Sequence, residues 1–346
     1  MAKVGLVYDE IFMEHMPRDY HPEYPERLTK IHEELKSRKL DEKLSHVAAR
    51  DATREEIERI HTSAHFESVE RSKGNWGSFD PDTYHAPQSF EAALRAAGGI
   101  CAATEKTLKG ELDSAFCLVR PPGHHAEAGR AMGFCLFNNV AVAAAHALAT
   151  QGIERVLIVD PDVHHGNGTQ HSFESSRQVF YISTHQYPFY PGTGHFSEIG
   201  DGEGRGFTTN CPLPWGMGDG DYAAIFAEVI IPLAEAFEPQ LLLVSAGFDT
   251  FEGDPIGGMR VTEAGFAMMA ERLLGLKVPT VFTLEGGYNL EGQARCVAAM
   301  IERMLARTGQ PAPDAPEFSG EEAHPVRDKL VEAIGETLKP SWPKVF

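Results

Sequence analysis

Five short, unbroken apolar runs, each passing directly into a loop crowded with Gly, His or Asp, constrain this chain more than any other feature. Ala115–Val119 (AFCLV) leads into RPPGHH, and Arg155–Asp160 (RVLIVD) into PDVHHGNG. Val179–Ser183 (VFYIS) leads into THQYPFYPGTG, Leu241–Ser245 (LLLVS) into AGFDTFEGDP, and Thr280–Leu284 (TVFTL) into EGGYNL. Runs of Val, Ile, Leu and Phe without polar alternation are how strands covered on both faces of a parallel sheet read. Between them, helices are predicted over Pro87–Thr107 and over Phe137–Thr150, with Gly152 closing the latter. Others are predicted over Arg54–Ile60, over Asp221–Phe237 with a kink at Pro232, and over Thr262–Leu274, with Thr262 as N-cap and Gly275 at the far end. Strand, loop and helix in repetition predict a doubly wound α/β sheet. Ligands in such sheets bind beyond the carboxyl ends of the strands, so five loops far apart in sequence are expected around one crevice.

The 346 residues, 42% apolar and 23% charged, exclude a disordered, collagenous or disulfide-scaffold chain. No boundary interrupts the first 307 residues, so residues 1–346 read as a single domain with a core over 1–307. The polar, Pro-rich stretch and a short helix over Val326–Leu338 follow within 308–346. A net charge of −19 argues against a nucleic-acid partner and suits cationic small substrates or basic peptides. The five cysteines are scattered without a C-x-x-C pair, so neither disulfides nor a cysteine zinc cluster are expected. The N-terminus turns acidic before an apolar leader could form, and no run is long enough to span a bilayer. The expectation is a cytoplasmic protein without a membrane partner.

The chemistry concentrates in those loops. Asp162 and His164, two apart just past a strand, share a face and present a carboxylate and an imidazole, donors that suit zinc. The adjacent pair His124 and His125 suits proton transfer near neutral pH, with Asp160 and Asn167 as candidates for fixing the tautomer. Asp249 is either a third ligand, leaving an open fourth position, or a helix N-cap. In EGGY, Gly286 and Gly287 allow a tight turn that points Tyr288 into the crevice as an oxyanion donor, the alternative being a tyrosine packed on the surface.

With PPGHHA, DPDVHHGNG, AGFDT and EGGY present in this order, the chain resembles the zinc-dependent histone deacetylase and acetylpolyamine amidohydrolase family. The resemblance extends from HPEYPERL to EGGYNL, and EGGY with Asn167 is closer to the class II branch. It implies the arginase/deacetylase α/β fold, a parallel sheet of about eight strands with helices on both faces. It also implies Asp162, His164 and Asp249 as zinc ligands, with iron an alternative metal. His124 is matched with Asp160, and His125 with Asn167 as general base and acid. Tyr288 is implied to polarise the scissile carbonyl.

The resemblance further implies a substrate tunnel between Phe134 and Tyr190, with Gly133 and Gly287 beside it, Asp82 at the rim and Arg27 in an internal channel. Potassium is implied at Asp160, Asp162, His164, Ser183 and Thr184, and a second potassium at Phe173, Ser176, Val179 and Phe207. His15, His21 and His32 read as surface or loop residues, with His21 and Glu23 helping to shape the tunnel rim.

One departure bears on the substrate. Polyamine-selective class II relatives carry a glutamate after D-P in the gatekeeper loop, where this chain has Ile256 in GDPIGG. No long insertion lies between Trp76 and Pro87 either. The expected reaction is removal of acetyl or another acyl group from an amine, foremost Nε-acetyllysine. An acetylpolyamine deacetylase is the alternative, and an arginase-like ureohydrolase or a non-catalytic acyl-amine binder are more distant ones. The ureohydrolase needs a two-metal cluster richer in aspartate than this one.

Overall fold

The computed structural model describes residues 3–310, 314, 316–318 and 324–346. Its main sheet has eight strands: β1 (Val4–Val7), β2 (Ser45–Val47), then β5 (Ser114–Cys117), β6 (Val156–Asp160), β7 (Val179–Gln186), β8 (Thr208–Leu213), β9 (Leu241–Ala246) and β10 (Thr280–Leu284). The two short strands between, β3 (Gly77–Ser78) and β4 (Tyr84–His85), pair antiparallel on their own. The spatial order is β2-β1-β5-β10-β9-β6-β7-β8, and every pairing is parallel. The five strands expected from sequence are therefore contiguous, in the order β5-β10-β9-β6-β7, and their loops leave the same edge side by side. The register carries this into the loops: Asp160, closing β6, pairs with Ser183 of β7.

The helices are α1 (Glu26–Ser37), α2 (Arg54–Glu58), α3 (Ser63–Glu70), α4 (Ser89–Leu108), α5 (Asn139–Thr150), α6 (Asn167–Phe173), α7 (Asp219–Ile225), α8 (Ile231–Phe237), α9 (Glu263–Leu274), α10 (Leu290–Arg307) and α11 (Arg327–Leu338). They cover the sheet, and all six residues of β8 and all eight of β7 are buried. Stacking of Phe116 on Phe282, 6.1 Å between ring centroids, joins adjacent central strands. Truncating such a buried phenylalanine to alanine costs about 3–5 kcal/mol. At the edge, Trp342 stacks on Phe180 and its indole N–H donates to the Gly206 carbonyl, so the chain's end closes the β7–β8 side.

Some local expectations are corrected. The break expected at Pro232 lies before it, as a π-helical turn over Phe226–Ile230, because proline lacks the N–H that would continue the α-helical ladder. Thr262 does precede α9, but its hydroxyl donates to Asp219 Oδ2 (2.6 Å) instead of capping the helix. Gly275 follows α9 in ordinary right-handed geometry, φ −61°, so no glycine is demanded there. The expected Pro-rich tail falls partly outside the described residues. Among the described residues, no helix is long and apolar enough to cross a membrane.

Candidate active site

The loop after β6 and the loop after β9 bring Asp162, His164 and Asp249 together, with a donor atom from each within 4.8 Å of the others. His164 Nδ1 stands 3.1 Å from Asp162 Oδ1 and 3.2 Å from Asp249 Oδ2. Backbone N–H groups hold the carboxylates: Gly286 N donates to Asp162 Oδ2 (3.0 Å) and Val163 N to Asp249 Oδ1 (2.8 Å). Asp249 Oδ2 is buried without a hydrogen bond among the described residues. Burial and the Asp162 carboxylate push Asp249 up to about 7. Two buried carboxylates and an imidazole aimed at one point, with one oxygen unpartnered, fit a divalent cation, whose charge removes the mutual repulsion. Gly286 is required here, since a Cβ on it would collide with Asp249 Oδ2.

The loop after β5 carries both histidines, and the two differ electrostatically. His124 Nδ1 lies 3.1 Å from Asp160 Oδ2. Burial alone would lower its pKa, but the Asp160 and Asp162 carboxylates outweigh burial and hold it well above the usual imidazole range. His125 Nδ1 lies 2.8 Å from the neutral Asn167 Oδ1. Burial, with the neighbouring His124 and His164, drives His125 well below that range. Two adjacent imidazoles are thus poised oppositely, His124 by the carboxylates beside it and His125 by burial next to two other imidazoles. Glu285 supports the loop from behind: its Oε2 accepts the backbone N–H of Gly123 (2.6 Å) and His124 (3.2 Å).

Tyr288 follows the two glycines after β10, and its N–H donates to Asp254 Oδ2 (2.7 Å). Burial keeps its phenol protonated far above neutral pH, so it can donate a hydrogen bond. Arg27 fixes this turn from beneath: its Nε donates to the Gly287 carbonyl (2.7 Å), an Nη to the Glu285 carbonyl (2.5 Å), and its guanidinium lies 5.0 Å from the Tyr288 ring centroid. A cavity of about 210 Å³ collects the groups, lined among others by His124, His125, His164, Tyr288, Phe134 and Tyr190. Gly133, Asp82 and Ile256 also line it. Gly133 takes φ +55°, and a Cβ there would run into the His125 ring. Tyr190 stands edge-on to His125 at 5.1 Å and remains partly exposed at the mouth. Phe189, not singled out from sequence, stacks on His164 at 5.2 Å and adds a third aromatic wall.

Several placements depart from the sequence expectation. His15 is fully buried, with Nδ1 2.6 Å from Ser89 Oγ, and His32 is half-buried against Tyr8. Glu23 lies beneath the rim, buried, where it binds Arg27 (3.0 Å) and both sides of the Arg120 guanidinium (2.5 and 2.7 Å). His21 does reach the rim, edge-on to Phe134 at 4.6 Å. Glu127, also missed, accepts from the Asn167 amide nitrogen, and its only sequence signal is its place two residues after the histidine pair.

On the other side of the loop after β6, Ser183 and Thr184 lie on β7 beside Asp160, and the Thr184 hydroxyl is buried without a partner among the described residues. Phe173 and Ser176 close the turn after α6, Ser176 N donating to the Phe173 carbonyl (2.8 Å). Val179 begins β7, and the Phe207 carbonyl accepts from Tyr181 N (3.0 Å).

Residues 21–304 match the model of the histone deacetylase domain. The chain is 37% identical to Histone deacetylase 5 of Arabidopsis thaliana over 99% of its own length and 54% of that protein's. It is 41% identical to the human Polyamine deacetylase HDAC10 over 84% of its length and 45% of the relative's. A Probable deacetylase of Archaeoglobus fulgidus is 37% identical, with 91% of this chain and 90% of that protein covered. The chain spans about half the length of the first two of these relatives. Its fold matches the crystal structure of the HDA15 HD domain with a TM-score of 0.92 and 37% identity, covering 99% of this chain and 96% of that one. On the match across the domain and on these relatives, the chain belongs to the histone deacetylase family.

Proposed function

We propose that this chain is a zinc-dependent amidohydrolase that releases acetate from an acetylated amine, with Nε-acetyllysine as the foremost substrate. The observation that carries this reading is the convergence on one narrow aromatic cavity of the Asp162–His164–Asp249 donors, the His124–His125 pair and Tyr288. A zinc ion on those donors supplies Lewis acidity toward the acetyl carbonyl and acidifies a water; ferrous iron suits the same set. His125, its Nδ1–H held on Asn167, presents a bare Nε2 to take a proton from the attacking water. The Tyr288 phenol donates to the developing oxyanion. The departing amine takes its proton from one of the two imidazoles. Phe134, Phe189 and Tyr190 exclude water along an aliphatic stem. Potassium is proposed at Asp160, Asp162, His164, Ser183 and Thr184, supported by the unpartnered Thr184 hydroxyl, and a second at Phe173, Ser176, Val179 and Phe207.

Acetylpolyamine cleavage is the second reading, supported by the likeness to a protein named a polyamine deacetylase. Ile256 at the cavity speaks against it, because an apolar side chain offers no charge to a second amine. Steady-state kinetics of the zinc-loaded protein on acetyllysine peptides, acetylputrescine, acetylspermidine and longer acyl-lysines decide between them. A higher kcat/KM for the peptides supports the first reading, and acetate release from none of the panel overturns both.

A further inference from the structure

Away from this cavity, three helices bring a second set of donors together. Cys101 of α4, His146 of α5 and Glu56 of α2 each offer an atom within 4.8 Å of the others, and all three are buried. The set has the soft and borderline chemistry of zinc, with sulfur, nitrogen and oxygen in one cluster, whereas magnesium and calcium sites are built from oxygen.

The surroundings orient these donors. His146 Nε2 lies 3.0 Å from Glu105 Oε1, so its N–H is committed to that carboxylate and the Nδ1 lone pair faces Glu56. Nδ1 is buried and makes no hydrogen bond among the described residues, although Glu56 Oε1 stands 3.1 Å away. A carboxylate behind the far nitrogen of a histidine is how metal-binding imidazoles are commonly held. Glu56 is fixed as well: Oε2 accepts from Arg50 (2.8 Å) and from the Thr53 N–H (2.7 Å), while Oε1, among the described residues, accepts only from Arg50 (2.6 Å), leaving a lone pair. With Cys101 ionised, the cluster holds three negative charges (Cys101, Glu56 and Glu105) facing Arg50 and Lys109, and a divalent cation compensates the thiolate charge that these two leave over. Arg50 and Glu105 are partly exposed, which opens an entry path.

We propose that Cys101, His146 and Glu56 form a second, structural metal site for a zinc-like divalent ion, which fastens α2 to the α4–α5 pair. On binding, the Cys101 S–H bond breaks, its proton leaves to solvent and a sulfur–metal bond forms, with no change in oxidation state.

Cobalt distinguishes the two sites, because only this one has a thiolate. Holoprotein stripped of metal and titrated with Co²⁺ is expected to develop a near-ultraviolet thiolate-to-cobalt charge-transfer band. The band should survive Asp249→Ala, which removes a donor at the other site, and vanish in Cys101→Ser and in His146→Gln. Absence of the band in the unsubstituted protein overturns the proposal. Persistence of the band in Cys101→Ser also overturns it. The Asp249→Ala arm reads this site whether or not the deacetylase reading holds.

Discussion

Asn167 accepts the Nδ1–H of His125 at 2.8 Å, while its own amide nitrogen is committed to the Glu127 carboxylate and the His125 carbonyl. The amide therefore cannot flip, and the imidazole is oriented by a neutral acceptor. Asn167→Asp places a carboxylate at the same spot, which favours protonated His125. A base that protonates more readily is lost at higher pH, so the acid limb of the kcat/KM profile should move upward. Because the introduced carboxylate would also face Glu127, the variant is best measured with Glu127→Gln, which restores a donor. An unmoved acid limb in the double variant would remove His125 from the role of base.

Tyr288→Phe keeps the ring between Arg27 and Phe134 and deletes only the hydroxyl. Loss of one oxyanion donor costs about 10²–10³ in kcat. Bound metal, measured by elemental analysis, should stay at the unsubstituted level, since the phenol is not among the clustered donors. Activity within a few-fold of the unsubstituted protein would refute the assignment.

Ile256 supplies an apolar side chain to the same cavity that the rim residue Asp82 lines. Ile256→Glu adds a negative charge where the second amine of a long polyamine would pass. The ratio of kcat/KM for acetylspermidine to that for an acetyllysine peptide is expected to rise, and to fall back as salt screens the pair. A ratio unchanged at low ionic strength would mean that selectivity is set elsewhere.

The legible parts of this fold were the ones whose signal is local. Thr280–Leu284 forms a strand over just the expected residues, because an apolar run covered on both faces needs no partner to be recognised. β8 reads TTNCPL, half polar by composition, and its burial depends on elements distant in sequence: Trp342 and α11 fold over its neighbourhood from more than a hundred residues away, and Gln170 of α6 accepts from Asn210. β2 is three residues long and offers no pattern. The same split runs through the site. Asp162 and His164 announce themselves by spacing, whereas Glu23, beyond its pairing with Arg27 four positions on, shows its role through Arg120, 97 positions on. Phe189 was hidden by its neighbour: two aromatic residues stand side by side in the loop, and nothing local says that both face inward.

His61 makes the acid stability of the molecule predictable. Its Nδ1–H donates to the Glu127 carbonyl (2.9 Å), and its Nε2 accepts the backbone N–H of Asn138 (2.8 Å), which locks the neutral tautomer. Protonation would set an N–H against the Asn138 N–H, with His65 the facing titratable ring at 4.9 Å. Burial, reinforced by His65, drives His61 down to about 3 from an ordinary value of 6.5. The unfolded chain therefore takes up this proton first. The stabilisation is complete above pH 6.5 and is lost progressively as pH falls from there toward 3, at up to about 1.4 kcal/mol per pH unit. His15, likewise buried and held near 3, adds a second increment over the same window. Urea unfolding followed across that window should show His61→Gln less stable at neutral pH, through a poorer fit to the two backbone groups, yet with a flatter acid slope by about one proton. A slope identical to that of the unsubstituted protein would show that His61 is already charged in the folded state.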